Sequence, residues 1–287
     1  MASKTGNFGL TKPALTDPAD IQVLNANMDI IDSNMKSLGG LMTDCAGSHN
    51  SFFRGKNIGS SVTSTQSSAI QNGSFKDIYV GDYWVINGTT YRVAGCDVFL
   101  RTGDNVSLGH NVNVSLGHNV VVVPDSCILN ADGQTTKYWN DTDTTSGGYI
   151  GSKMYETTIP EKVLPKIQND FGSNLYVHRE YLSNAVDSNG GASNGTWVDS
   201  SVELMNEVML YGSVINGRGL GLYNIGIGNT QLPLFRLAPQ FIHIRKDYWL
   251  RDISSSAWVA YVASYGHARC NGASYPWVGV RPYFLVH

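Results

Sequence analysis

Four aspartates, Asp97, Asp104, Asp125 and Asp132, are the first candidates for chemistry in this chain. Glycoside hydrolysis needs two carboxyl groups roughly 5 to 10 Å apart, one to protonate the leaving oxygen and one to act as nucleophile or base. Sequence spacing cannot place any two of the four at that distance, and the expectation is a protein that is not an enzyme. His110 and His118 recur in two copies of one pattern, Val106-Ser107-Leu108-Gly109-His110-Asn111-Val112 and Val114-Ser115-Leu116-Gly117-His118-Asn119-Val120. A metal needs more donors than these two imidazoles, and nothing nearby completes a set. Cys45, Cys96, Cys127 and Cys270 stand far apart without a C-x-x-C pair, which reads as free, mostly buried thiols.

Trp139-Asn140-Asp141, followed closely by Asp143, offers oxygens to calcium. Calcium takes roughly six to eight of them, so a polar turn is the expected role. Gly217-Arg218-Gly219-Leu220-Gly221 is spaced G-x-G-x-G and has no Walker lysine, which makes it a loop rather than a phosphate cradle. Neither a metal nor a cofactor is expected.

The C-terminal segment carries a different chemistry. Trp258, Tyr261, Ser264, Tyr265, His267, Arg269, Asn271, Tyr275 and Trp277 are interleaved with Ala260, Ala263, Gly266, Ala268, Gly272 and Ala273. Tyr and Trp supply contact area at low entropic cost, and Ser, Asn and Gly supply adaptable hydrogen bonds, as in a paratope. Burying so many polar tips without partners is costly, so these nine residues are expected to face water or a ligand. Two stiff-looking blocks frame them, Asp247 to Ala257 and Gly279 to Val286.

The elements that must hold this surface follow from composition and period. The 287 residues suffice for a large core without disulfide staples. Charged residues are 15% of the chain, with a net charge of -3, and such a balance leaves no footprint for nucleic acid. Uninterrupted apolar runs are only a few residues long, such as Val120 to Val123, which excludes a transmembrane helix. No signal-like stretch follows Met1, which implies synthesis in the cytoplasm.

After a cap at Asp17 and Pro18, the residues Ile21, Leu24, Met28, Ile31, Met35 and Leu38 fall on a narrow a/d seam that ends at Gly39-Gly40. Such a stripe suits a coiled coil, and Ile and Met in the seam favour three strands; the alternative is a helix packed on its own body. Residues 45–74, rich in Ser and Thr, read as a linker, and residues 75–287 as the folded domain. There, Asn87-Gly88 predicts a type I′ hairpin between Ile78–Ile86 and Thr89–Val93. Pro160–Phe171 predicts a helix ending at Gly172, and Ser200 with Glu203 a capping box opening a second one. Short strands over Tyr248–Leu250, Trp258–Ala263 and Val280–Val286 complete an α+β domain.

Specific blocks add a resemblance. Tyr248-Trp249-Leu250-Arg251-Asp252 and Gly279-Val280-Arg281-Pro282-Tyr283-Phe284, with Gln231-Leu232-Pro233-Leu234-Phe235 and Glu203-Leu204-Met205-Asn206-Glu207-Val208, resemble the C-type-lectin-like domain of phage tail proteins from gut bacteria. Phe8-Gly9-Leu10-Thr11-Lys12-Pro13 and Phe53-Arg54-Gly55-Lys56-Asn57-Ile58-Gly59 are similar, less strictly, to attachment regions of tail-tip proteins. The resemblance implies a C-type-lectin-like fold of the formylglycine-generating-enzyme type, preceded by a coiled-coil helix in residues 1–44. It also implies a receptor-binding tail subunit in the virion, homotrimeric through the seam, with other tail proteins and a bacterial surface protein or glycan as partners; the alternatives are a tail-associated glycan-degrading enzyme using an Asp pair and a purely structural virion subunit. Many such proteins are variable proteins of diversity-generating retroelements, which rewrite adenines in codons near the 3′ end. Trp258 and Trp277 lie outside what an Asn codon yields by that route. The formylglycine-generating enzymes use paired cysteines near the C-terminus, and only Cys270 stands there, so that activity is not implied.

Overall fold

The computed structural model describes residues 3–6, 9–14, 20–43, 45–103, 117–132, 137–219 and 230–287, with backbone alone over 40–43. Two short strands, β1 (Ser3–Lys4) and β2 (Thr11–Lys12), pair antiparallel ahead of helix α1 (Ile21–Thr43). Asn27 ties them to the helix: its side-chain amide donates to the Thr11 carbonyl at 2.9 Å and accepts from the Thr11 N–H at 2.8 Å. Asp17 and Pro18 lie outside the described residues, while Asp20 accepts from the Gln22 N–H at 2.8 Å in the first turn. The helix runs through Gly39-Gly40, past the expected stop. Glycine inside a helix costs only about 1 kcal/mol, and no proline follows to end it. All six seam residues are exposed, from 38% at Ile31 to 67% at Ile21 and Met35, so the stripe is not packed on its own body.

Residues 45–74 belong to the body rather than forming a free linker. Helix α2 (Ala46–His49) buries His49 against the Tyr79 ring, with centroids 4.4 Å apart. Strand β3 (Asn57–Gly59) pairs in parallel with β4 (Tyr83–Ile86). Helix α3 (Ser64–Gln71) opens on a Thr63–Gln66 capping box and buries Ala69 and Ile70. The Ser/Thr content that suggested a linker serves caps and turns instead.

The Asn87-Gly88 hairpin is present. Asn87 and Gly88 have φ of +46° and +76°, and β4 continues into β5 (Thr89–Cys96). Residues 78–82 stay outside the strand. Beyond β5 come β6 (Val120–Pro124), a π-helical stretch (Met154–Val163), α4 (Leu164–Phe171), β7 (Leu175–Tyr176) and the hairpin of β8 (His178–Val186) and β9 (Ala192–Ser200). The expected helix over 160–171 thus starts earlier, in wide turns that accommodate Pro160, and stops at Gly172 as read.

The capping box at Ser200 opens no helix. The Ser200 hydroxyl does donate to the Glu203 carboxyl at 2.5 Å, but Val202–Leu204 form strand β10. Pairing with β14 (Pro282–Val286) overrides the local signal. Asn206 caps the short α5 (Glu207–Tyr211) instead, accepting from the Met209 N–H at 2.7 Å. Helix α6 (Pro233–Leu237) and strands β11 (Tyr248–Ile253), β12 (Trp258–Val262) and β13 (Ala268–Gly272) complete the chain before β14.

The main sheet has seven strands in the order β10-β14-β6-β5-β4-β3, with β7 also on β14; β11, β12 and β13 form a separate antiparallel sheet. The central strands of the main sheet are buried on two sides. Val120, Val122, Phe284 and Val286 enter one apolar cluster with Trp84 and Phe171, whereas Val121, Val123, Tyr283 and Leu285 enter a second with Phe99 and Leu232. That is why Val120–Val123 is uninterrupted rather than alternating. The architecture is mixed α+β, and among the described residues no helix is long and apolar enough to cross a membrane.

Candidate functional site

Strands β11 and β14 lie within the two framing blocks and are buried along their whole length, whereas the end of the first block, from Ser255 to Ala257, leaves the strand and reaches the surface. Arg281 is locked between them: its guanidinium donates to the Pro124 carbonyl at 2.8 Å and the Phe241 carbonyl at 2.9 Å, and lies 5.1 Å over the Tyr248 ring. Gly279 has to be glycine, because a Cβ there would sit 2.6 Å from the Leu129 carbonyl oxygen.

Behind the frame lies a closed polar network. Arg251 donates to Glu180 at 2.6 Å, the Tyr283 hydroxyl donates to the other Glu180 oxygen, and His178 Nε2 stands 3.3 Å away. Burial pushes Glu180 up, but Arg251 and then His178 outweigh it and bring its pKa down to about 2. Glu203 accepts from Ser200 at 2.5 Å and from the Tyr149 hydroxyl at 2.7 Å. Burial dominates there and, with the Glu180 charge adding to it, raises its pKa to about 7. No solvent-facing residue belongs to this network: it stiffens the frame.

The expected ligand-facing residues sort themselves on this frame. Tyr265 is 82% exposed, Trp277 56% and Trp258 50%. His267 and Arg269 are also exposed, and Ser264, Asn271 and Tyr275 are half-buried, Tyr275 packing its ring on the first apolar cluster. Tyr261 departs from expectation. It is buried, its ring 6.0 Å from the Trp249 ring, because strand alternation turns it to the same side as its β11 partner. The same alternation divides β12 and β13: Trp258, Ala260 and Cys270 share one face, Tyr261, Arg269 and Asn271 the other.

On the Trp258 side is an open groove that sequence reasoning did not find, lined by Ile215, Asn216, Arg218, Ser254, Trp258 and Cys270. Its loop is held from beneath by Glu207, whose buried carboxyl accepts from the N–H groups of Ile215 at 2.8 Å, Asn216 at 2.9 Å and Gly217 at 2.9 Å. The N-cap Asn206, one residue before Glu207, was the available signal. The described part of Gly217-Arg218-Gly219-Leu220-Gly221 is a wall of this groove; Leu220 and Gly221 lie outside the described residues.

The other candidates serve structure. Asp125 is ion-paired with Arg92, and Asp97 is hydrogen-bonded to His118 Nδ1 at 2.8 Å. His110 and Asp104 lie outside the described residues, and Asp132 is exposed on a loop. Trp139 is buried and donates to the Leu250 carbonyl at 3.2 Å, while the Asn140 amide holds the Thr144 carbonyl and Asp141 bonds Lys153 at 2.5 Å, so this tripeptide is a structured turn. Gly191-Ala192-Ser193-Asn194-Gly195 has the spacing of a serine nucleophile elbow, but it runs into strand β9 with no helix after it, which is not the context that chemistry needs. None of the four cysteines is in a disulfide; Cys96 and Cys127 are buried, Cys270 half-buried and Cys45 exposed. Among the described residues no three His, Cys, Asp or Glu side chains come together as a metal site. Comparison of the chain with protein-family models, with curated proteins and with solved structures finds no match, and the chemistry of the site rests on its own residues.

Proposed function

We propose that this chain is a receptor-binding subunit of a phage tail, carried in the virion, whose C-type-lectin-like C-terminal domain grips a protein or glycan on the bacterial surface. The observation that supports this most is the exposure of Trp258, Tyr265 and Trp277 on a frame whose other large rings are buried. Rings left in water on a stiff scaffold are what a binding hot spot requires. The resemblance in the framing blocks, and a segment that fits diversification by a retroelement, supply the rest of the reading. The role is binding rather than catalysis, and the exposed α1 seam assembles three copies beside other tail proteins.

Replacing Trp258, Tyr265 and Trp277 together by Ala tests it. Each is exposed, so the melting temperature should move by no more than a few degrees. Binding of the purified protein to a panel of gut bacterial cells, read by flow cytometry, should fall at least a hundredfold, at about 2 kcal/mol or more per hot-spot ring before non-additivity. Undiminished cell binding by this variant would defeat the assignment.

A further inference from the structure

One end of the molecule gathers cations around two of the exposed rings. The turn between β12 and β13 rests on the segment just before β11: a Cβ on Gly266 would lie 3.2 Å from the Cβ of His243, the Tyr211 hydroxyl donates to the Gly266 carbonyl at 3.0 Å, and the Ser264 N–H donates to Asp247 at 2.7 Å. The chain comes back to the same place before β14, where the Gly279 N–H bonds the Asp247 carbonyl at 2.9 Å. These contacts bring His243, Arg245, Lys246, Tyr265, His267 and Trp277 to one surface, all of them exposed. Tyr265 and His267 have ring centroids 6.2 Å apart. The acid in their midst, Asp247, is engaged by Ser264, and among the described residues neither Arg245 nor Lys246 has an ion-pair partner.

A second observation points the same way. Arg245 has φ +58°, a left-handed conformation that strains a side-chain-bearing residue and that glycine takes freely. Strain of this kind persists only where the surrounding structure holds it, and it clusters at functional sites. In a chain of net charge -3 with only 15% charged residues, unpaired cations beside exposed rings amount to a local reversal of sign.

From this we infer that the 243–246 turn and the β12–β13 tip form an anion-binding face that takes an acidic polysaccharide, its carboxylates or phosphates on Arg245 and Lys246 and its sugar rings against Tyr265 and Trp277. Guanidinium and ammonium groups meet the charge, and flat rings meet the apolar faces of the sugars. The inference rests on the binding role proposed above and narrows its ligand to one class.

The test uses the full chain and biolayer interferometry on immobilised polygalacturonate, on a poly(ribitol phosphate) and on neutral dextran of matched length. At least one acidic polymer should bind at least tenfold more tightly than dextran, with affinity falling as salt rises; which one binds assigns carboxylate or phosphate. The double variant Arg245→Gly, Lys246→Gln should lose at least tenfold on that polymer. Its fold should be intact, since glycine relieves the backbone at position 245, and an unchanged or higher melting temperature verifies this. Binding to neither acidic polymer, equal binding to dextran, an unaffected double variant, or tighter binding to an oligothymidine of equal charge would each overturn the inference. If the double variant still binds bacterial cells as wild type does while the Trp258, Tyr265 and Trp277 variant does not, the anionic class alone falls; if both variants bind normally, the receptor-binding role falls with it.

Discussion

At the scale of single residues, the two buried glutamates set opposite limits on stability. Glu203, with its pKa raised to about 7 by burial and then by the Glu180 charge, holds its proton more tightly folded than unfolded. Its contribution is complete below an unfolded carboxyl pKa of roughly 4.3 and is lost as the pH rises through 7. Glu180, brought to about 2 because Arg251 outweighs its burial, acts in reverse: its contribution is present above the unfolded value and disappears as the pH falls through 2. The fold should therefore be most stable between about pH 4 and 5. Glu203→Gln isolates the first effect, since an amide can accept from one of Ser200 and Tyr149 and donate to the other, as the protonated acid does. We expect the variant to melt roughly 5 °C above the wild type at pH 8, for an ionisation cost on the order of 3 kcal/mol, and only about 2 °C above it at pH 5, where about 1 kcal/mol of that cost already applies. Scanning calorimetry across pH 5 to 8 decides; parallel curves for the two proteins would show that Glu203 does not carry this cost.

At the scale of elements, what was legible in the sequence is what local chemistry decides. Asn87-Gly88 specified its hairpin because two left-handed residues suffice for a type I′ turn. Tyr248–Leu250, Trp258–Val262 and Pro282–Val286 are strands because short apolar runs buried on both faces have few alternatives. Strand β10 was illegible for the opposite reason: only β14, some eighty residues later, overrides a good capping box. The candidate site divides the same way. Exposure of Tyr265 and Trp277 followed from composition, whereas Tyr261 was misplaced because two-sided burial erases the alternation that reveals which face a residue takes. The groove loop and the 243–246 turn have no period to read, since a carboxyl beneath one and backbone contacts beneath the other hold them. The Glu207 clamp makes its own prediction. Glu207→Ala leaves three loop N–H groups without their acceptor, at about 1 to 3 kcal/mol for each one kept from water. Hydrogen exchange over residues 213–219 should accelerate at least tenfold while β11 and β14 stay protected; unchanged exchange in that loop would mean that the groove wall is held by something else.

At the scale of the whole molecule, the seam of α1 decides how the surfaces act together. Six apolar side chains at 3, 4, 3, 4, 3 spacing and 38% to 67% exposed are poorly matched to water, and a helix of 23 residues with no partner gains little from its own hydrogen bonds. In the trimer we propose, a second and third copy of the same stripe would bury it knob into hole. Asn27 fixes the N-terminal hairpin beside the seam, so the hairpin would ride on the outside of the bundle rather than plug it. Three copies on one axis would present three ring-bearing faces, and linking them would raise apparent affinity by about 10² to 10⁴ over one face where a surface offers several receptors within reach. Met28→Asp with Ile31→Asp places like charges at adjacent layers of the bundle without touching the body. Light scattering should then give a 31.2 kDa monomer where the parent gives three times that mass. The melting of the C-terminal body should be unchanged, because no seam residue contributes to either apolar cluster. Cell binding should drop a hundredfold or more, whereas affinity for a single soluble ligand stays as it was. A parent protein that is already monomeric at micromolar concentration would remove both the bundle and the avidity derived from it.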